Sequence, residues 1–242
     1  MAAVAVSAIL AACGHAPVRQ VAAGATVDLA ADRLPAAAAE YRTTVAMQST
    51  EHSHAAEVLP AEAVLWRFWR DADQIVIERP QLGLGELWQR DGKSLIHRKL
   101  YHAERRAIEF QEDDLKMLGS HPAWSKLGLL LDPAILAGLI AEEATESDGT
   151  SVREYRGSAA GAEWHVIVRL DLALPVLIER ETGGLSERTE LLQAYVLAAA
   201  PWPPTAGDSY DNIDYADLGD KEYDPFVIKV QAQYGHDHGH SH

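Results

Sequence analysis

The feature that most constrains the fold is an apolar stretch at residues 123–141, in which Lys126 and Asp132 are the only charged residues. Asp132 is a helix N-cap residue directly before Pro133, which suits the first helical position, so two short helices are predicted. Neither is long enough to span a bilayer. The second is apolar most of the way round, which predicts burial on more than one side. A sheet that curves over the helices would provide that burial.

Both flanks of this stretch alternate apolar and polar residues with the two-residue period of strands. Asp91-Gly92 and Gly183-Gly184 add hairpin signals. Strands that follow one another in sequence are expected to pair. The predicted fold class is therefore α+β, with a strongly curved antiparallel sheet wrapped around central short helices. The strands are expected at residues 41–49, 64–70, 74–79, 83–90, 94–103, 106–110, 151–156, 163–170, 175–181 and 185–194.

Composition and charge narrow the functional classes. The chain has 242 residues, 48% of them hydrophobic, which is enough for one domain with a sizeable core. Its net charge is −15. Nucleic acids and anionic lipid surfaces are bound through clustered Lys and Arg, and such clusters are absent from this sequence. No nucleic-acid partner is expected.

The N-terminus has the pattern of an exported protein. Residues 2–10 form a short apolar segment ahead of Cys13, the only cysteine. Residues 10–13, Leu-Ala-Ala-Cys, resemble the bacterial lipobox. The resemblance implies a signal peptide at residues 1–12, cleavage before Cys13 and lipid attachment to it. The alternative is an Ala-rich terminus with a buried free thiol, because no Lys or Arg precedes the apolar segment.

The rest of the chain divides into three parts. Residues 13–39 are rich in Ala with interspersed Pro and Gly, and are predicted to be the lipidated cysteine and a tether to the membrane. Residues 40–200 are predicted to form the folded domain, and residues 201–242 a C-terminal extension. Gly14 after the cysteine implies, by the same resemblance, an outer-membrane lipoprotein that faces the periplasm.

The second group of strands carries a more specific pattern. In the segment WHVIVRLDLALPVLIERETGGLSERTELL from Trp164, an alternating strand ends at Asp171 and restarts after a Leu-Pro pair. With the order of strands, helices and strands, this resembles the LolA/LolB-like envelope lipoprotein carriers. The resemblance implies a half-barrel with a cavity for a lipid or a lipoprotein's acyl chains. The candidate lining residues, which could equally be plain core, are Trp66, Phe68, Leu87, Leu131, Leu136, Leu139, Trp164 and Val166.

The C-terminal extension begins with three prolines and continues as an acidic segment that contains scattered apolar residues. It could pack against the domain or bind divalent cations, although its spacing does not match an EF-hand loop. Its last eight residues alternate histidine with other residues. Neutral imidazoles suit Zn, Cu and Ni, and a flexible tract can assemble several of them. The alternative is a disordered polar terminus. The candidate ligands are His236, His238, His240 and His242.

No enzymatic constellation is recognisable. The sequence has no G-x-S-x-G, no H-E-x-x-H and no phosphate-binding glycine loop. A non-enzymatic protein without a required cofactor is therefore expected. Two functions remain: an envelope lipoprotein that binds a hydrophobic ligand or lipidated partner, and an envelope protein that binds or buffers transition metal through its tail. A structural role would remain if neither ligand bound.

Overall fold

The computed structural model describes residues 28–47, 63–147 and 149–237, the last five of them as backbone only. Cys13 and the predicted signal peptide lie outside the described residues. So do most of the predicted tether and the histidines at 238, 240 and 242. Within the described part of the chain, no helix is long and apolar enough to cross a membrane.

The described residues form one sheet and four α-helices. The helices are α1 Glu112–Met117, α2 Trp124–Leu129, α3 Pro133–Ala137 and α4 Pro225–Asp237. The strands are β1 Ala37–Met47, β2 Val64–Arg70, β3 Gln74–Arg79, β4 Leu84–Asp91, β5 Ser94–Tyr101, β6 Arg106–Phe110, β7 Ile140–Ala141, β8 Thr145–Ser147, β9 Thr150–Ala159, β10 Ala162–Arg169, β11 Leu174–Thr182, β12 Leu185–Val196 and β13 Asp211–Asp214.

The sheet is open and curved. Its strand order is β13-β6-β5-β4-β3-β2-β1-β12-β11-β10-β9-β7, and β8 also pairs with β9. The runs β2–β6 and β9–β12 are meanders, as the alternation predicted, and β1 joins them by pairing with β2 and β12. All these pairs are antiparallel except β13 with β6. The predicted class, a mostly antiparallel curved sheet with few helices, is confirmed at this level.

The predicted break in the central apolar stretch is present. Asp132 Oδ1 accepts the Ala134 backbone N–H at 2.9 Å, and Pro133 occupies the first turn of α3. Helix α2 ends at Leu129, and Leu130, which caps it, has a φ of +61° in the left-handed region. Leu129 is fully buried at the end of α2. Leu129 and the apolar residues of α3 pack against β9 and β10.

The two faces of the sheet are covered by different parts of the chain. One face of β1–β6 packs against α1, α2 and α4. The other face carries Trp69, Val76 and Leu87, and the segment after β12 lies across it with Leu197 and Trp202. The chain beyond residue 200 therefore supplies a strand, a buried part of α4 and a cover for the second face. At the other boundary, β1 begins at Ala37, three residues before the predicted start of the domain.

Candidate ligand cavity

A cavity of about 820 Å³ lies between the sheet and the helices at the β4–β6 end of the molecule. The floor comes from alternate residues of three neighbouring strands, and the walls come from α1, the turn Tyr215–Leu218 and α4. Its size falls in the usual range of ligand pockets, about 300–1,000 Å³. It is lined by Glu86, His97, Lys99, Phe110, Leu115, Met117, Leu118, Ser120, Tyr215, Ala216, Leu218, Gly219 and Gln231.

One wall is positioned by the junction between β6 and α1. The side chain of Asp114 accepts the Gln111 backbone N–H at 2.9 Å, so α1 begins immediately after the strand. Leu115 is buried against the sheet, whereas Met117 is 71% exposed and Leu118 is 47% exposed. The wall therefore continues outward as an exposed apolar rim, a feature typical of binding surfaces.

The opposite wall depends on the acidic C-terminal segment. β13 runs parallel to β6, and Ile213, opposite Ile108, is buried. Asp214 caps the following turn by accepting the Ala216 backbone N–H at 2.9 Å. Arg106 donates to both carboxylate oxygens of Asp224, at 2.8 and 2.7 Å, and this ion pair fixes the start of α4.

Stacked rings run across the floor and connect it to this wall. His97 stacks on Trp88 with ring centroids 3.9 Å apart and on Phe110 at 5.5 Å. Phe110 stacks in turn on Tyr215 at 4.8 Å. Since these rings belong to neighbouring strands and the turn after β13, their stacking holds the floor and the C-terminal wall in register.

The polar groups of the floor differ in their partners: Glu86 is paired with Arg79, whereas the buried Nε2 of His97 has no hydrogen-bond partner among the described residues. Burial opposes ionisation of Glu86, but the Arg79 guanidinium, 2.6 Å away, outweighs it and the pKa of Glu86 lies below its usual value. Burial lowers the pKa of His97 to about 4, so its imidazole is neutral at neutral pH. Lys99 lies directly opposite Glu86 in the strand register. The site therefore combines a mainly apolar wall with a small polar floor.

The predicted lining residues do not come together in this cavity, and none of them lines it. Leu131, Leu136, Leu139 and Val166 pack together between α3 and the β9–β10 strands, with Trp164 partly buried beside them. Phe68 and Trp66 belong to the cluster on the helix-covered face of β1–β6. Leu87 faces the other side of the sheet. The eight side chains are thus divided among three clusters rather than lining one pocket.

The predicted metal ligands have no described geometry. His236 belongs to the last turns of α4, where the structure describes the backbone alone, and the other three histidines lie outside the described residues. In the part of the chain that the structure describes, no group of three or more His, Cys, Asp or Glu side chains could hold a metal ion.

Sequence reasoning missed the actual cavity because its walls come from segments with little periodicity. The signal that could have identified one wall is the spacing of Ile213, Tyr215, Leu218 and Phe226 among acidic residues. Three of these side chains are buried and Tyr215 is partly buried. An acidic run that only improved solubility would not need them.

No protein-family model matches the chain, and no curated protein sequence matches it. Among solved structures, PNGF-II is similar with 11% identity and a TM-score of 0.37, over 77% of this chain and 34% of that chain. MucB in complex with MucA(peri) is similar with 12% identity and a TM-score of 0.36, over 75% and 57% of the two chains. The Pseudomonas aeruginosa MucA/MucB complex is similar with 15% identity and a TM-score of 0.38, over 76% of this chain and 60% of that chain. This chain spans about a third of PNGF-II's length and less than two thirds of MucB's.

Proposed function

We propose that this protein is a non-enzymatic lipoprotein of the bacterial cell envelope that binds a hydrophobic ligand, such as the acyl chain of a lipid or of a lipidated partner. The observation that carries the proposal is the cavity of about 820 Å³ between β4–β6 and the helices. Its wall residues are mainly apolar, and its exposed rim residues Met117 and Leu118 give an acyl chain a continuous apolar path from solvent.

The location in the envelope rests on the sequence. The lipobox-like residues before Cys13 support a lipid anchor, and Gly14 supports delivery to the outer membrane. The Ala-rich residues that follow would let the domain reach away from the membrane surface. The LolA/LolB-like pattern of the second strand group supports a carrier, although the ligand site we propose lies at the opposite end of the sheet from that pattern.

Filling the cavity should weaken ligand binding. Ala216 is exposed and lines the cavity from the turn after β13, so Ala216→Phe places a ring in the space for the ligand. In the full chain carrying Cys13→Ser, we expect palmitate to bind and the Ala216→Phe variant to bind it at least tenfold more weakly, a difference of about 1.4 kcal/mol. The measurement is displacement of the fluorescent probe 1-anilinonaphthalene-8-sulfonate by palmitate.

The matched control is Ala134→Phe. Ala134 is also exposed, but it lies in α3 and does not line the cavity. This variant should bind palmitate as the parent chain does. Equal palmitate affinity in both phenylalanine variants would contradict the proposed site, and no palmitate binding by the folded parent chain would contradict the proposed function.

The alternating histidines support a second proposal, binding of Zn, Cu or Ni by the tail. Neutral imidazoles suit these ions, and four of them lie within residues 236–242. We expect the full chain to bind Zn²⁺ in isothermal titration calorimetry. A chain with His236, His238, His240 and His242 replaced by Gln should lose that binding while its palmitate affinity is unchanged. Retained Zn²⁺ binding would mean that other residues hold the metal.

A further inference from the structure

A second, smaller cleft of about 420 Å³ lies on the opposite face of the sheet from the proposed acyl site. Trp69 of β2 and Val76 of β3, which are direct cross-strand neighbours, form its floor. The segment after β12 crosses over them and supplies the other wall. The residues around the cleft are Trp69, Asp71, Gln74, Val76, Leu197, Ala200, Pro201, Trp202, Pro203 and Pro204.

The cleft is built around Trp202, which contacts three side chains. Its ring meets Trp69 edge-on, with centroids 5.7 Å apart and an interplanar angle of 80°. It also meets Tyr195 edge-on at 5.2 Å and 89°. The guanidinium carbon of Arg67 lies 4.7 Å from the Trp202 centroid. Trp69 and Tyr195 thus hold the indole in place, and its π surface attracts the Arg67 guanidinium.

Apart from the Gln74 amide, the side chains around the cleft offer ring, aliphatic and proline surface rather than hydrogen-bond donors. The Nε1 atoms of Trp69 and Trp202 are both fully buried, with no acceptor among the residues that the structure describes. Because they are buried, neither N–H can reach an incoming carbonyl or carboxylate oxygen. An anionic or carbonyl-bearing ligand would therefore gain little from these two indoles.

The charge of the cleft favours a cation. Among the described residues that line the cleft, Asp71 is the only ionisable one, and it is exposed. Arg67, which lies over Trp202, does not line the cleft and is within 3.5 Å of the Glu40 carboxylate, so its charge is matched within the fold. A ligand in the cleft thus meets aromatic surface, the Gln74 amide and one carboxylate. Aromatic surface attracts quaternary ammonium groups, and the carboxylate adds the opposite charge.

We propose that this cleft binds a small organic cation of the quaternary or methylated ammonium class. The cationic group lies against the face of the Trp202 indole away from Arg67, its methyl groups contact the proline wall, and Asp71 provides the opposite charge. This site is independent of the acyl cavity, because the two have no lining residue in common and lie on opposite faces of the sheet.

The test compares choline with 3,3-dimethyl-1-butanol, which has the same shape and no charge. The full chain carrying Cys13→Ser is titrated with each compound while the indole N–H signals of its six tryptophans are followed by NMR. We expect choline to shift the Trp69 and Trp202 signals with a dissociation constant of about 1 mM and the alcohol to bind at least tenfold more weakly. The signals of Trp66 and Trp164, already hydrogen-bonded at 2.9 Å, should not move.

Two substitutions assign the binding to the cleft. Asp71→Asn should weaken choline about fivefold without changing the affinity for the alcohol, because an exposed ion pair contributes up to about 1 kcal/mol. The matched control is Asp73→Asn in the same loop, whose side chain is 60% exposed and does not line the cleft. Equal affinity for choline and the alcohol, no choline binding at 50 mM or the same loss in both Asn variants would overturn the proposal.

Discussion

Replacing Arg70 by alanine should lower the free energy of unfolding by about 4 kcal/mol. Arg70 ends β2 and is 1% exposed. Its guanidinium donates to the carbonyl oxygens of Pro35 at 2.7 and 2.9 Å and Ala173 at 3.1 Å. It also donates to those of Gly128 and Leu172. Alanine would leave these carbonyls without their donors, and a buried unsatisfied group costs about 1–3 kcal/mol. Urea denaturation followed by tryptophan fluorescence measures the change.

The large effect follows from what Arg70 connects. Its partners come from the chain before β1, from α2 and from the turn between β10 and β11. Burial lowers the pKa of Arg70 to about 10, which leaves it charged at neutral pH. Hydrogen bonds from a charged donor are stronger than those between neutral groups, so several of them offset the free-energy cost of burying the charge.

Two further variants separate these bonds from a general effect of losing an arginine. Arg42→Ala removes a side chain that is 45% exposed and paired with Glu190 at 2.7 Å, and should cost less than about 1 kcal/mol. Arg70→Lys keeps the charge but has no planar fork, so it should lie between the parent and Arg70→Ala. A loss of less than 1 kcal/mol in Arg70→Ala would show that the carbonyls find other donors.

The connections of Arg70 also mark the limit of prediction from this sequence. The alternation of apolar and polar residues predicted the bounds of β2–β6 and β10–β12 to within a few residues. It could do so because successive side chains of a strand point to opposite faces of the sheet. Asp132-Pro133 gave the break between α2 and α3 for an equally local reason. What these elements contact is set by residues far away in sequence. Nothing near Arg70 indicates that its partners are Pro35 and Ala173.

The candidate site shows the same division. The sequence proposed a set of apolar residues as the cavity lining, but it could not tell which of them would be covered by the chain itself. Leu131, Leu136 and Val166 pack on one another, which leaves them as core in this structure. The cavity lies beside Phe110 instead, where the turn after β13 forms its wall. β13 pairs with β6, although the two strands are more than a hundred residues apart in sequence. No local sequence pattern predicts the parallel pairing of a strand as short as β13.

His97 should make the stability of the fold depend on pH between about 4 and 6.5. Its pKa falls from a usual value of about 6.5 to about 4, first because it is buried and also because Lys99 is close, while Glu86 acts in the opposite direction. Between these values the unfolded chain binds a proton that the folded chain does not. Stability from His97 is therefore complete above pH 6.5 and is lost as the pH falls. The loss between pH 7 and pH 5 should be about 2 kcal/mol.

The His97→Phe variant isolates this contribution from the carboxylates that titrate in the same range. Phenylalanine keeps a ring between Trp88 and Phe110 but has no proton to bind. Urea denaturation of both proteins at pH 7 and pH 5 should show the parent chain losing about 2 kcal/mol more than the variant. His121→Gln is the control, because His121 lies between α1 and α2, is 34% exposed and is not stacked in the ring series. The difference between the parent and His97→Phe should persist when both carry this substitution. Equal losses in the parent and His97→Phe would mean that water reaches His97 and keeps its pKa near the usual value. In that case the floor of the cavity would be hydrated, which would count against an acyl ligand, so this measurement also tests the proposed function.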